Sequence, residues 1–199
     1  MSEYPIDLEK RRFLTQTAAV LGATGAAFAA VPFISYMKPG AGTLEAAGPI
    51  EVDITKLEPG QMIRVEWRGQ PVWVLKRTEE MLATLSQLEP KLRDPDSDES
   101  IQPENCKNPY RSIQPEVFVA VGICTHLGCS PTYRPEVGPP DLGKQWLGGF
   151  FCPCHGSRFD LAGRVYKKVP APTNLVVPPY RYASDTRIIV GEEQEETRS

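Results

Sequence analysis

Cys124-Thr125-His126-Leu127-Gly128-Cys129 and Cys152-Pro153-Cys154-His155-Gly156-Ser157 contain both histidines of the 199-residue chain and four of its five cysteines. Each segment places thiols and an imidazole within a few residues of one another on a glycine-containing loop. Cys-x-His followed by Cys-x-x-His offers two sulfur and two nitrogen ligands, a donor set suited to a metal centre. A single tetrahedral zinc could use all four. That assignment leaves three features over. Cys129 and Cys154 become spare thiols, Ser157 places a hydroxyl two residues after a ligand and within reach of a sulfur, and the N-terminus reads as an export and membrane segment.

The pair C-T-H-L-G-C at 124–129 and C-P-C-H-G-S at 152–157 resembles the Rieske iron–sulfur family, in particular its bacterial ubiquinol–cytochrome c reductase members. The likeness continues through Asp160-Leu161-Ala162-Gly163-Arg164 and Val169-Pro170-Ala171-Pro172, and the N-terminal anchor and tether fit it as well. The resemblance implies one 2Fe-2S cluster, with Cys124 and Cys152 on one iron and His126 and His155 on the other. It implies a disulfide between Cys129 and Cys154, and Ser157 as hydroxyl donor to a cluster sulfur. It gives His155 the role of meeting the quinol, Leu127 that of packing against cytochrome b, and the Val169–Pro172 loop that of shielding the cluster. Relatives commonly begin that loop with Gly, so Val169 is a departure.

The chemistry needs these residue types. Four thiolates around two ferric ions leave a negative cluster that accepts a further electron at a cost. Two neutral imidazoles in place of two thiolates raise the potential to about −150 to +300 mV, a range that reaches quinol oxidation. An imidazole on ferric iron also has an acidified outer N–H, which regains its proton on reduction. Hydrogen bonds to cluster sulfur stabilise the more negative reduced state. A Cys129–Cys154 link closes a loop of about 26 residues, worth roughly 3–4 kcal/mol by chain entropy. Cys106, in a polar stretch containing Pro103 and Pro109, reads as an incidental free cysteine.

Phe13 to Met37 carries no charge and is long enough to cross a bilayer at 1.5 Å per residue. Lys10, Arg11 and Arg12 precede it, which favours a cytoplasmic N-terminus. Lys10-Arg11-Arg12-Phe13-Leu14-Thr15 resembles a twin-arginine export signal, with Lys10 where the first arginine belongs. No convincing cleavage site follows, so a retained anchor is expected. Residues 38–48, rich in Gly, Ala and Pro, read as a flexible linker spanning at most about 40 Å. The expected division is 1–12 cytoplasmic, 13–37 transmembrane, 38–48 linker and 49–199 head, with the cluster subdomain at about 123–180.

A net charge of −3 and a pI near 5.5 argue against nucleic-acid binding. The head, about 150 residues, is enough for one globular domain. Met62 to Trp67 alternates, Arg68-Gly69-Gln70 turns, and Pro71 to Leu75 returns as a hairpin partner. Val117 to Gly122 and Arg187 to Val190 are further strands, and Thr78 caps one helix. The expected fold is mainly β: an antiparallel β-sandwich head with a small β cluster-binding subdomain inserted between strands. Residues 86–116, acid-rich between Asp94 and Glu104, read as a solvated loop.

The function expected is that of a quinol–cytochrome c reductase subunit. It takes one electron and one proton from ubiquinol at a cytochrome b site and passes the electron to a c-type cytochrome, in a dimeric complex of the bacterial inner membrane with the head on the periplasmic side. The alternative is the Rieske small subunit of an exported oxidase such as arsenite oxidase. A ferredoxin for ring-hydroxylating oxygenases lacks the anchor and the extra cysteine pair. Many respiratory family members carry Tyr where this chain has Phe159, and its hydroxyl donates to a ligand sulfur. Phe159→Tyr should therefore raise the cluster midpoint in a redox titration, and an unchanged midpoint would remove that account.

Overall fold

The computed structural model describes residues 7–38, 40, 42 and 48–193. The chain divides into two compact units, Met1–Glu45 and Ala46–Ser199.

In the first unit, α1 runs from Leu8 to Tyr36. Asp7 caps it, its carboxylate accepting from the amides of Glu9 and Lys10 at 3.1 and 3.0 Å. The hydroxyls of Thr15 and Thr24 donate to the carbonyls of Arg11 and Val20, so neither needs water. Pro32 lies in the last turns, where little helix remains to be disturbed. No described residue of α1 is buried, and its most apolar window has a mean hydropathy of 1.7. The helix starts before the expected span, so Lys10-Arg11-Arg12 lies on its first turns instead of preceding it. Most of the expected 38–48 linker falls outside the described residues.

Among the described residues, the second unit holds three antiparallel three-stranded sheets. The first orders β1 (Ile50–Asp53), β9 (Arg187–Val190) and β8 (Tyr180–Ser184). The second orders β2 (Met62–Trp67), β3 (Gln70–Lys76) and β4 (Val117–Val121). The third orders β5 (Thr132–Val137), β6 (Leu147–Phe151) and β7 (Arg158–Phe159), and is inserted between β4 and β8. The β2–β3 hairpin turns at Arg68 and Gly69, both at positive φ, as a two-residue turn matched to strand twist requires. Val72 to Leu75 and all of β4 are buried, so β3 and β4 are covered on both faces, while β2 exposes Arg64 and Glu66. The second helix, α2 (Glu79–Leu88), is capped by Thr78, whose hydroxyl accepts from the Met81 amide.

Residues 86–116 are exposed at Asp96, Asp98, Glu99 and Glu104, as a solvated loop would be, but the segment is also tied into the body. Leu88, Leu92, Asp94, Ser97, Cys106, Arg111 and Ser112 are all buried. The reason is that the polar groups here serve other segments. Arg111 donates to the carbonyls of Leu175 at 2.8 Å and Ala162 at 3.3 Å, and to Gln102 Oε1 at 2.9 Å. Arg77, just after β3, donates to the carbonyls of Pro115, Tyr110 and Leu161 and to the Ser112 hydroxyl. Burial lowers both guanidinium pKa values to about 10, which leaves them charged at neutral pH. Cys106 is fully buried and burial raises its thiol to about 11, so it is a neutral core residue closed to intermolecular linkage.

Trp73 on β3 spaces the strands that feed the two cysteine–histidine segments. Its ring stacks on Phe150 of β6 at 4.9 Å. On another side it lies against Gly122, where a Cβ would sit 2.3 Å from Trp73 Cε2. Gly122→Ala should therefore destabilise the fold by about 2–3 kcal/mol, as overpacking of a tight core does. Thermal melting of the detergent-solubilised chain checks this, and an unchanged midpoint would mean the ring shifts freely.

Candidate metal centre

The two segments form loops with the same backbone plan. In the first, the Gly128 amide donates to the Cys124 carbonyl at 3.0 Å and the Cys124 amide to the Cys129 carbonyl at 2.7 Å. In the second, the Gly156 amide donates to the Cys152 carbonyl at 2.9 Å and the Cys152 amide to the Ser157 carbonyl at 2.8 Å. Both turns need a residue at positive φ, and Gly128 (84°) and Gly156 (77°) supply it without a Cβ penalty. The leading cysteine of each loop thus faces inward at the base of a tight turn, and the histidines ride on the outer part.

Cys124 and Cys152 are buried, 2% and 1% exposed, and beyond burial itself the neighbouring Cys152 thiol also raises the Cys124 pKa. Burial raises the Cys124 thiol above its ordinary pKa, a cost that a bound cation removes by favouring the thiolate. The rings of His126 and His155 meet edge to face with centroids 4.7 Å apart. His126 is half-buried and His155 exposed. Leu127, beside them, is 72% exposed.

Cys129 and Cys154 form a disulfide with their Cα atoms 6.7 Å apart. The sulfurs of Cys129, Cys152 and Cys154 lie within 4.8 Å of one another. Because two of these are joined, they have no thiolate to offer, and the trio is one free thiol with a disulfide laid against it. What remains for a metal is a buried pair of thiols and an outer pair of imidazoles. That donor set fits a paired-iron cluster held asymmetrically, sulfur inside and nitrogen outside.

Ser157 is fully buried. Its Oγ accepts from the Ala171 amide at 3.1 Å, and its hydroxyl opposes the rise that burial imposes on the Cys124 thiol. Phe159 is fully buried core. Asp160, just beyond the second loop, accepts from the amides of Ala162 and Arg164 and forms a buried ion pair with the Arg164 guanidinium at 2.8 Å. Sequence reasoning missed several residues that hold this region. Thr125 Oγ1 donates to the Thr173 carbonyl at 2.7 Å, tying the first loop to the end of the proline segment. Asn174 donates to the Asp94 carbonyl and the Ser97 hydroxyl, both at 2.9 Å. The partners are mainly backbone groups, which leave no signature in a sequence.

Residues 106–181 match the family described as "Rieske [2Fe-2S] domain", and residues 6–40 match "Ubiquitinol-cytochrome C reductase Fe-S subunit TAT signal". The "Ubiquinol-cytochrome c reductase iron-sulfur subunit" of Allochromatium vinosum is 59% identical over 194 residues, covering 98% of this chain and 94% of the relative. The protein of the same name from Rhodospirillum rubrum is 43% identical over 183 residues, covering 92% of this chain and 91% of the relative. Among solved structures, a chain of "Hyperthermophilic respiratory Complex III" is 23% identical, with a TM-score of 0.48, covering 87% of this chain and 98% of that one. The chain belongs to the family of ubiquinol–cytochrome c reductase iron–sulfur subunits.

Proposed function

We propose that the chain oxidises ubiquinol at a cytochrome b subunit and passes the electron to a c-type cytochrome, as the iron–sulfur subunit of a quinol–cytochrome c reductase, contributing to proton translocation. The observation that carries this reading is the sorting of donors by depth: buried thiols at Cys124 and Cys152, outer imidazoles at His126 and His155. The arsenite-oxidase alternative is not favoured, since the relatives carry the reductase name over nearly their whole length.

When bound, a 2Fe-2S cluster supplies one-electron redox chemistry at a potential that two neutral imidazoles bring into quinol range. Cys124 and Cys152 would hold one iron, and their burial keeps water from the sulfur side. His126 and His155 would hold the other iron, and their outer position leaves them facing a partner. His155 accepts a hydrogen bond from the quinol hydroxyl at its outward ring nitrogen and takes the proton there. Leu127 offers the exposed apolar surface that seats against cytochrome b. Ser157 donates its O–H toward the sulfur side, favouring the more negative reduced state. The Cys129–Cys154 bridge holds the two loops together.

We place residues 1–12 in the cytoplasm, 13–37 across the bacterial inner membrane, 38–48 as the tether, and 49–199 as a periplasmic head whose cluster subdomain spans about 123–180. The positive segment Lys10-Arg11-Arg12 on the inner side supports that orientation. The partners are cytochrome b and a c-type cytochrome in a dimeric complex.

Electron paramagnetic resonance of the reduced full chain should give a rhombic signal with an average g value below the free-electron value. His155→Cys should lower the midpoint sharply or abolish assembly. A colourless, silent protein containing zinc would sink the reading. Replacing Cys129 and Cys154 together by serine should cost roughly 3 kcal/mol of stability in chemical denaturation and speed cluster loss without removing a ligand, and full retention of cluster stability would count against the bridge's role.

A further inference from the structure

Val169-Pro170-Ala171-Pro172 has little means of holding itself. Pro170 and Pro172 have no N–H, so neither can anchor the loop by donation. Ala171 lies between them, and its one amide donates to Ser157 Oγ at 3.1 Å. Two carbonyls of the loop are gripped from outside. Arg93 Nη2 donates to the Val169 carbonyl at 3.1 Å and Arg93 Nη1 to the Pro172 carbonyl at 3.3 Å. A planar guanidinium suits such two-point contact, because its donors are fixed relative to one another.

Arg93 is itself placed by backbone pairing. Its amide donates to the Val165 carbonyl at 2.9 Å, Leu92 bridges to Tyr166, and the Lys167 amide donates to the Lys91 carbonyl at 2.8 Å. The arginine therefore reaches across the proline segment from a rigid strip. The far end of the segment is pinned separately by Thr125 on the Thr173 carbonyl.

A hydroxyl has one proton and two lone pairs. Once Ser157 Oγ accepts from Ala171, its own O–H points elsewhere, and Ser157 closes the loop that begins at Cys152, whose amide donates to the Ser157 carbonyl at 2.8 Å; burial raises the Cys124 thiol and the serine hydroxyl opposes that rise. We propose that Arg93 is a positioning residue for the metal centre: by clamping the Val169 and Pro172 carbonyls it keeps the Ala171 amide on Ser157, which aims the serine hydroxyl at the sulfur side of the site and raises the potential there. This rests on the 2Fe-2S reading of the site. It assigns a tuning role to an exposed side chain that supplies no ligand.

The test is a double-substitution cycle on the full membrane-anchored chain with Arg93→Gln, Ser157→Ala and both together. Redox titration followed by paramagnetic resonance reads the midpoint, and hydrogen exchange of the peptide covering 169–174 reads the loop. Arg93→Gln should lower the midpoint, by less than Ser157→Ala does, and should add no further shift in the Ser157→Ala background. Exchange at Ala171 should speed up on the order of tenfold, as for loss of a hydrogen bond to a charged group. The melting temperature should change little, since Arg93 is at the surface. An unchanged midpoint overturns the proposal. So does a shift fully additive with Ser157→Ala, or an upward shift persisting in that background, which would mean water entry and not the serine. If the unmodified chain gives no iron signal, the metal reading fails on its own, and unchanged exchange in Arg93→Gln would still overturn the clamp.

Discussion

Two loops far apart in sequence must present donors to one small object, and each solves the problem with the same pair of backbone hydrogen bonds. The amide of the leading cysteine is tied to the carbonyl five residues on, at Cys129 or Ser157. The carbonyl of that cysteine is tied to the glycine amide four residues on. The thiol is thereby turned inward and the rest of the loop is pushed out. Within this shared plan the side chains differ. The position closing the first loop carries a disulfide sulfur, and the position closing the second carries a hydroxyl. One joins the loops to each other and the other joins the second loop to the proline segment, so the two faces of the site are held by different chemistry.

Behind the loops lies a second constraint, electrostatic in kind. Arg77 and Arg111 are buried and hydrogen-bond chiefly to carbonyl oxygens, while Arg164 pairs with Asp160. The carbonyls of Leu161 and Ala162, just past the second loop, are among those acceptors. A turn that would otherwise carry bare carbonyls into the interior is thus neutralised by arginines from a distant stretch of chain. This is why residues 86–116 fold against the body despite their polarity. Their buried hydrophilic side chains are chiefly partners for backbone, while Asp96, Asp98, Glu99 and Glu104 face water.

What could be read from the sequence follows the same division. The donor set was legible because thiols and imidazoles are rare and their spacing is tight. The β2–β3 hairpin was legible through alternation around Arg68-Gly69, and α2 through Thr78. The third sheet was not. Pro135 and the adjacent Gly148 and Gly149 obscure β5 and β6, although Pro135 falls where the register shifts on an edge strand, a place that tolerates it. β1 and β8 were too short or too mixed to stand out. The bridge between Cys129 and Cys154 came from family likeness alone. The roles of Arg93, Arg111 and Asn174 had no sequence signal, because a carbonyl acceptor has no residue identity.

Trp73 and Gly122 show how such packing restricts descent with change. The indole fills the space that any side chain at 122 would need, and its other side rests on Phe150. A smaller ring at 73 alone opens a void, and a methyl at 122 alone collides. Substitutions at these positions are therefore expected to travel as a pair, with the second change made tolerable only by the first, and historical variation at the base of the two loops should be correlated rather than independent.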